Sequence, residues 1–344
     1  MTLLKQLGEF GLIDRIGARS KIQGSRLKLG IGDDCAVYPA GKGAYQLITT
    51  DALVEKVHFE LAWTKPQWLG RKAMSVNISD IAAMGGVPKF AVITLGIPST
   101  LPLKFLDSFY EGIRQICREY NIELAGGDTV SSPEYVFINI TLVGEAPEKN
   151  IFSRRGARPG DKILVTGTPG DSSLGLKILQ SPRKKWKGPL SYRHRLVRTH
   201  LDPVPRVEEA CLLRNSKSRI TSMIDISDGL VQDLGHICKQ SGMGAIIREE
   251  WLPKSKELAR ITSLNKLNLL DHFLHGGEDY ELLFTLKPED VKKIIRRFEK
   301  IQTSVTVIGD IILGSGKVIL QKADGKSRVL HKPLGYNHFK PRKL

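Results

Sequence analysis

The sequence predicts an α/β protein of two domains, each mixing helices and strands. Three observations carry that prediction. The chain has 344 residues, more than one ordinary hydrophobic core accommodates. Strand-like and helix-like apolar patterns alternate through both halves. A stretch rich in Gly, Pro and Arg, "NIFSRRGARPGD", divides them and reads as a linker. The expected domains are 1–148 and 149–344.

The elements follow in order. "MTLLKQLGEFGLIDRIGA" sets Leu3, Leu4, Leu7 and Ile16 at helical intervals, with Glu9 and Asp14 between them. It lacks a small-residue cleavage site, so it reads as an amphipathic helix rather than a signal peptide. "YQLITT" is a strand ending at Asp51. "PQWLGRKAMSVNISDIAAMG" has helical spacing, with Pro66 at its start and Gly85-Gly86 at its stop. "FAVITLGI" is a strand and "LKFLDSFYEGIRQICREYN" an amphipathic helix; "IELAGGDTV" and "YVFINITLVGEA" are strands. In the second half "KILVTG" is a strand, followed by a glycine turn into the helix "DSSLGLKIL". "PRVEEACLLRN" is a helix, and the strand "SMIDIS" feeds the helix "DGLVQDLGHICKQSG". "AIIREE", "YELLFTL" and "VTVIGDII" are strands, with the helix "EDVKKIIRRFEK" between the last two.

Composition narrows the class. Apolar residues make up 41% and charged residues 26%, as in soluble globular proteins. No apolar run approaches the roughly 20 residues of a membrane helix. Cys35, Cys117, Cys211 and Cys238 are scattered without a C-x-x-C pair. That fits reduced thiols and a cytoplasmic location, and argues against a disulfide scaffold or zinc site. The net charge of +16 is partly local: Ser181 to Arg198 holds seven Lys or Arg, and the tail ends "FKPRKL". Such charge either steers anions, nucleotides and nucleic acid included, or marks a solvated loop and tail.

Against this basic background, carboxylates break the apolar pattern at Asp33 and Asp34 in "GIGDDCAVY", Asp51, Asp80, Asp128 in "LAGGDTV", and Asp225 and Asp228 in "IDISDGL". Most stand at the end of an apolar run or beside glycine, where folds present side chains to clefts. A turn or a helix cap would account for each one singly, Asp228 as an N-cap above all. Asp233, a turn inside a helix, reads as solvated or capping. Together they point to cations, because isolated buried carboxylates cost several kcal/mol. Carboxylate oxygens suit Mg²⁺, which leaves room for phosphates, so the pattern implies nucleotide-phosphate chemistry.

The common kinase marks are absent. "GSGKV" lacks the spacing of a phosphate-binding loop, and no D-F-G occurs. "GTPGDSSLG" opens a helix and either holds an anion on its amides or forms a structural turn. A different set of motifs runs the length of the chain: "GEFGLIDRI", "GIGDDCAV", "TTDALVEKVHF", "VNISDIAAMGG", "AGGDT", "RPGDKILVTGTPGDSSLGL", "DISDGL", "GGEDYELLFT" and "GYNHF". In that order they resemble the thiamine-monophosphate kinase family, within the superfamily of aminoimidazole ribonucleotide synthetase and selenophosphate synthetase.

The resemblance implies a two-domain aminoimidazole-ribonucleotide-synthetase-like fold whose N-terminal domains pair their sheets in a homodimer, with ATP in the groove between them. It implies ATP-dependent phosphorylation of thiamine phosphate to thiamine diphosphate. By motif match Asp34, Thr49, Thr50, Asp51, Asp80, Asp128, Asp225 and Asp228 would hold Mg²⁺. Tyr110, Gly127, Asp128, Arg154 and Ser227 would contact ATP, with Arg155 a possible substitute for Arg154. His58, Glu278 and Tyr336 would touch thiamine phosphate. The residues allow it: His58 can donate to a phosphate or be a surface histidine, a Glu278 carboxylate can face a cationic ring, Tyr336 can stack or pack the tail, and Tyr110 lies on an amphipathic helix where core packing is the default. Lys56 replaces the family's usual glycine, and the linker carries an extra arginine.

Rival relatives fit less well. A selenophosphate synthetase should carry a reactive Cys in a glycine-rich N-terminal segment, and the hydrogenase-maturation relative a terminal cysteine; this chain ends "KPRKL". A basic nucleic-acid-binding protein is the alternative of another class, and the intact aspartate sets argue against it.

Overall fold

The computed structural model describes residues 4–20, 25–41, 43–181, 185–314, 316–330, 336, 338 and 339. The first half contains α1 (Leu4–Arg19), β1 (Ala36–Gly41), β2 (Ala44–Val54), α2 (Pro66–Ala83), β3 (Val87–Ile97), α3 (Leu103–Tyr120), β4 (Glu123–Ser131) and β5 (Phe137–Pro147). The second contains β6 (Lys162–Thr166), α4 (Asp171–Leu179), α5 (Leu190–Leu201), α6 (Val207–Arg214), β7 (Ile220–Asp225), α7 (Leu230–Ser241) and β8 (Met243–Arg248). It continues with α8 (Lys256–Leu264), α9 (Leu269–His275), β9 (Leu282–Leu286), α10 (Val291–Lys300), β10 (Val305–Leu313), β11 (Val318–Gln321) and β12 (Ser327–Leu330).

The first sheet runs β1-β2-β5-β3-β4. Its central pair, β2 and β5, keeps one register from Ala44 opposite Pro147 to Val54 opposite Phe137. Side chains alternate between faces, so Thr49 and Asp51 share one face and Thr50 takes the other. The inner face, with Leu47, Ile93 and Ile140 buried, packs under α2 and α3. The outer face is half-open, with Phe90 and Val92 exposed. On α3, Phe109, Gly112, Ile113, Ile116 and Cys117 form the buried stripe, and Asn121 ends the helix in left-handed geometry. α2 lies close against α3 because glycines face each other's backbone. A Cβ on Gly112 would sit 1.9 Å from the Gln67 carbonyl oxygen, and one on Gly70 2.1 Å from that of Phe109.

The second sheet runs β12-β11-β8-β10-β6-β9-β7 and is antiparallel except between β8 and β11. The core under the first sheet continues into the second domain through Ala210, Leu213, Met223, Phe284 and Phe298. The seam between domains is therefore packed apolar interior. A second cluster, with Ile224, Leu230, Leu234 and Ile247, fills the far face. Leu174, Leu196, Leu258 and Ile261 join α4, α5 and α8.

α2 is the element that joins the halves. Arg71 Nε donates to Asp202 Oδ1 at 2.7 Å, Ser75 Oγ to the Pro203 carbonyl at 2.9 Å, and Ser79 Oγ to Asp225 Oδ2 at 2.6 Å. These side chains are one or two turns apart along the helix, so a single face carries them all.

Some expectations change. β2 does not end at Asp51 but runs on to Val54, so Asp51 lies within a strand. The basic segment is not all solvated loop: Leu190–Leu201 is helical and buries Leu196, His200 and Leu201. Its Arg195 and Arg198 face solvent and pair with Glu257 and Asp202; Arg183 and Lys184 lie outside the described residues, as does the tail beyond Phe339. α1 forms as predicted but with a break at Gly8, whose φ is 71°. Its Leu4, Leu7 and Ile16 stay exposed.

Candidate active site

A cavity of about 1800 Å³ opens between the domains. Three acids from three separate elements meet in it. Asp34 precedes β1, Asp80 occupies the last turn of α2, and Asp225 ends β7; one carboxylate oxygen of each lies within 4.8 Å of the others. Asp51 and Asp33 line the same wall.

The arrangement is electrostatically strained. Burial, with the charge of Asp34 added, pushes Asp225 up to about 8, Asp33 to about 7 and Asp51 to about 6. Burial and the charges of Asp51, Asp225 and Asp34 hold Asp80 well above the usual carboxylate range. Asp34 is also pushed up by burial, although Arg154 opposes the shift, its Nε donating to Asp34 Oδ1 at 3.0 Å. Ser79 holds Asp225, Thr49 donates to Asp80, and the Asp51 N–H donates to Asn77 Oδ1 at 3.0 Å. Asp34 Oδ2 is buried with no hydrogen-bond partner. An orphaned carboxylate oxygen beside two further acids, in an all-oxygen donor set, fits a hard divalent cation.

The next group comes from the β7–α7 corner. Ser227 and Asp228 line the cavity. Asp228 does not cap α7: Asp233 reaches back to accept from the Gly229 N–H at 3.0 Å, and it is buried, not solvated. Asp228 instead accepts from Gln232 Nε2 at 2.9 Å. Burial raises Asp228 to about 6.

His58, Glu278 and Tyr336 line the same cavity. His58 Nδ1 accepts the Val54 N–H at 2.9 Å, which places the ring proton on Nε2. Burial lowers His58 to about 4, so it is a neutral donor. Glu278 is met by Lys72 Nζ at 3.1 Å and His200 Nδ1 at 3.3 Å. Burial alone would raise its carboxyl, but Lys72, His200 and His58 together hold it below the usual range. The Tyr336 N–H donates to the Asp228 carbonyl at 3.2 Å, and its ring lies 4.7 Å from that of His338.

Three predicted residues lie elsewhere. Tyr110, Gly127 and Asp128 line a separate groove of about 350 Å³ along β4. Thr50 does border the interdomain cavity, but its hydroxyl, on the outer sheet face, accepts from Asn139 Nδ2 at 3.0 Å and Thr141 Oγ1 at 3.1 Å. Of these acids Asp225 ends a strand and Asp34 precedes one, whereas Asp51 and Asp128 lie inside strands and Asp80 in a helix. The α4 N-terminus holds no foreign anion, because the Gly170 and Ser172 amides donate to Asp279 at 2.7 and 3.2 Å. Lys72 and His200 were not foreseen. The one signal was a lysine within a helix stretch that, apart from Asn77 and Asp80, is apolar or small, "KAMSVNISDIAAMG".

Comparison with known proteins identifies the class. The description "AIR synthase related protein, N-terminal domain" matches residues 32–146, and "AIR synthase related protein, C-terminal domain" matches 158–321. The thiamine-monophosphate kinase of Bacillus subtilis (strain 168) is 34% identical over 97% of this chain and 100% of its own length. That of Escherichia coli (strain K12) is 40% identical over 81% of this chain and 82% of its own. A solved structure, AaThiL complexed with AMPPCP and TMP, superposes with a TM-score of 0.83 at 38% identity, covering 98% of this chain and 99% of that one. The chain belongs to the thiamine-monophosphate kinase family.

Proposed function

We propose that this chain transfers the γ-phosphoryl group of ATP to the phosphate of thiamine phosphate, giving ADP and thiamine diphosphate. One observation carries the reading: a single interdomain cavity is lined both by the Asp34–Asp80–Asp225 cluster with Arg154 and by His58, Glu278 and Tyr336. The first group suits polyphosphate, and the second suits a phosphorylated cation with aromatic rings. The AMPPCP and TMP bound by AaThiL support the same pairing of ligands.

Asp34, Asp80, Asp225, Asp51 and Thr49 would hold Mg²⁺, which supplies charge neutralisation for the transferring phosphoryl group. The chain does the rest by placement. Arg154, anchored on Asp34, offers its guanidinium to nucleotide phosphates. Ser227 sits at the corner where its hydroxyl and neighbouring amides border the cavity. His58 Nε2–H donates to the acceptor phosphate, and Glu278 faces the thiazolium. The acceptor phosphate is already anionic near neutral pH, so direct in-line attack needs no strong general base.

Tyr110, Gly127 and Asp128 would complete the nucleotide site in a homodimer. All nine residues of β4 are exposed at the sheet edge, which supports pairing of two N-terminal domains there. We place the division between nucleotide and dimerisation domain and second domain at residues 148 and 149. Among the described residues no helix is long and apolar enough to cross a membrane, in keeping with a cytoplasmic enzyme.

A coupled ADP-release assay with thiamine phosphate, thiamine and an aminoimidazole precursor in parallel tests the assignment. Release with thiamine phosphate alone is expected. No release with it rejects the assignment, and a labelled phosphoprotein trapped during turnover rejects direct transfer.

A further inference from the structure

We propose that Lys72 and His200 are positioning residues that clamp the Glu278 carboxylate at the cavity wall for the cationic ring of the substrate, and that Lys72 makes this recognition depend on contact between the domains. The inference rests on the substrate reading above.

The geometry is a two-sided grip. Lys72 Nζ lies 3.1 Å from Glu278 Oε1 and His200 Nδ1 3.3 Å from Oε2, one partner for each oxygen. The side chains of Lys72 and His200 are 1% and 2% exposed, whereas that of Glu278 is 22% exposed. Glu278 is therefore the member that reaches the cavity, and the other two stand behind it. His200 Nδ1 also lies 3.1 Å from Ser172 Oγ. Burial lowers His200 to about 3, so the ring is neutral; its Nδ1 bonds Ser172 Oγ, and that bond holds the ring in place beside Glu278 Oε2.

The backbone of Glu278 is fixed as firmly as its side chain. Its φ is 62°, left-handed geometry that costs a non-glycine residue free energy. The Glu278 N–H donates to the Ser227 carbonyl at 2.7 Å and the Tyr280 N–H to that of Ile226 at 2.9 Å. A Cβ on Gly277 would come within 2.5 Å of the Ser227 oxygen, so only glycine permits the approach. This loop is thus fastened to the corner that carries Asp225 and Asp228.

Lys72 adds the interdomain element. It stands two turns before Asp80 on one stripe of α2, with Val76 between them, and both Val76 and Asp80 line the cavity. The same helix face is held to the second domain through Ser75 and Ser79. A lysine this deeply buried is costly unless paired, and a purely structural helix position would accept Met or Leu. Its Nζ makes no well-aligned hydrogen bond, which leaves the Glu278 carboxylate as its close ionic partner. The substrate-facing carboxylate in one domain is thereby held by a cation from the other.

The test is steady-state kinetics on the full-length enzyme, measuring KM for thiamine phosphate and for ATP separately. Lys72→Met and His200→Phe should each raise KM for thiamine phosphate about 10-fold or more while KM for ATP changes less than about twofold. Lys72→Arg should recover most of the loss. Lys72→Met combined with Glu278→Gln should be no worse than Glu278→Gln alone, because the two act as one unit. Equal rises in both KM values, no rise in either, or additive losses overturn the clamp. If circular dichroism shows that Lys72→Met is unfolded, the same KM comparison on His200→Phe and Lys72→Arg decides. The wild type in parallel separates the two levels: wild-type turnover with unaffected variants defeats the clamp alone, and no wild-type turnover defeats the substrate reading and the clamp together.

Discussion

Asp225 shows how a side chain is kept in a state that it would not choose alone. It ends a strand, accepts from Ser79, and faces Asp34 and Asp80 with burial and like charge opposing its ionisation. Asparagine matches the protonated form and keeps the acceptor for Ser79. Asp225→Asn is therefore expected to raise the metal-free melting temperature at about pH 8, where the wild type must ionise against repulsion. The same change should cut kcat by about 100-fold or more if Asp225 holds Mg²⁺ as proposed. Differential scanning fluorimetry and the ADP-release assay check the two halves; a lowered metal-free melting temperature would contradict the account. At this scale the acids were legible only as a set, because a turn or a cap accounts for each one singly but not for several together. Lys72 and His200 were not. A single lysine in a helix ordinarily reads as solvated, and nothing local marks His200 as buried beneath a glutamate from a distant loop.

α2 is the element on which the site depends. Its start at Pro66 and its stop before Gly85-Gly86 were readable, since both residues act through the local backbone. β2 runs three residues past the end that the sequence predicts, because Asp51 does not close the apolar run but occupies an inward strand position beneath α2. Which helix face would meet the other domain depends on contacts remote in sequence and was not readable. The tight α2–α3 crossing gives a direct test. In Gly112→Ala the new Cβ would lie 1.9 Å from the Gln67 carbonyl oxygen, and the helices must separate. Overpacking of this kind costs typically about 1–3 kcal/mol. Because Asp80 and Lys72 ride on the same helix, kcat and KM should worsen along with stability, measured by chemical denaturation and the kinetic assay. Loss of stability with unchanged kinetics would show that α2 does not transmit the shift.

The whole molecule should register the acid cluster as a pH dependence. Asp225, Asp33 and Asp51 have folded-state pKa values of about 8, 7 and 6 against an ordinary 3.8. The folded protein thus holds protons that the unfolded chain has released. Their contribution to stability is complete below about pH 4 and lost as pH rises through 6 to 8. Metal-free protein should lose melting temperature from about pH 5 to about pH 8.5 relative to a variant lacking these acids, and saturating Mg²⁺ should restore more at the higher pH. A Mg²⁺ effect that shrinks as pH rises would contradict the assignment of those carboxylates to metal. The alternation of strand and helix signals made two mixed domains legible, but neither the strand order nor the continuous interior between them could be read, because both are set by long-range packing. The fully exposed β4 carries one more implication. If nucleotide-contacting groups and the self-association surface share that strand, ligand and concentration become thermodynamically linked. Specific activity should fall on dilution, excess ATP should shift the midpoint of that fall to lower protein concentration, and titration by analytical ultracentrifugation would show the two curves moving together.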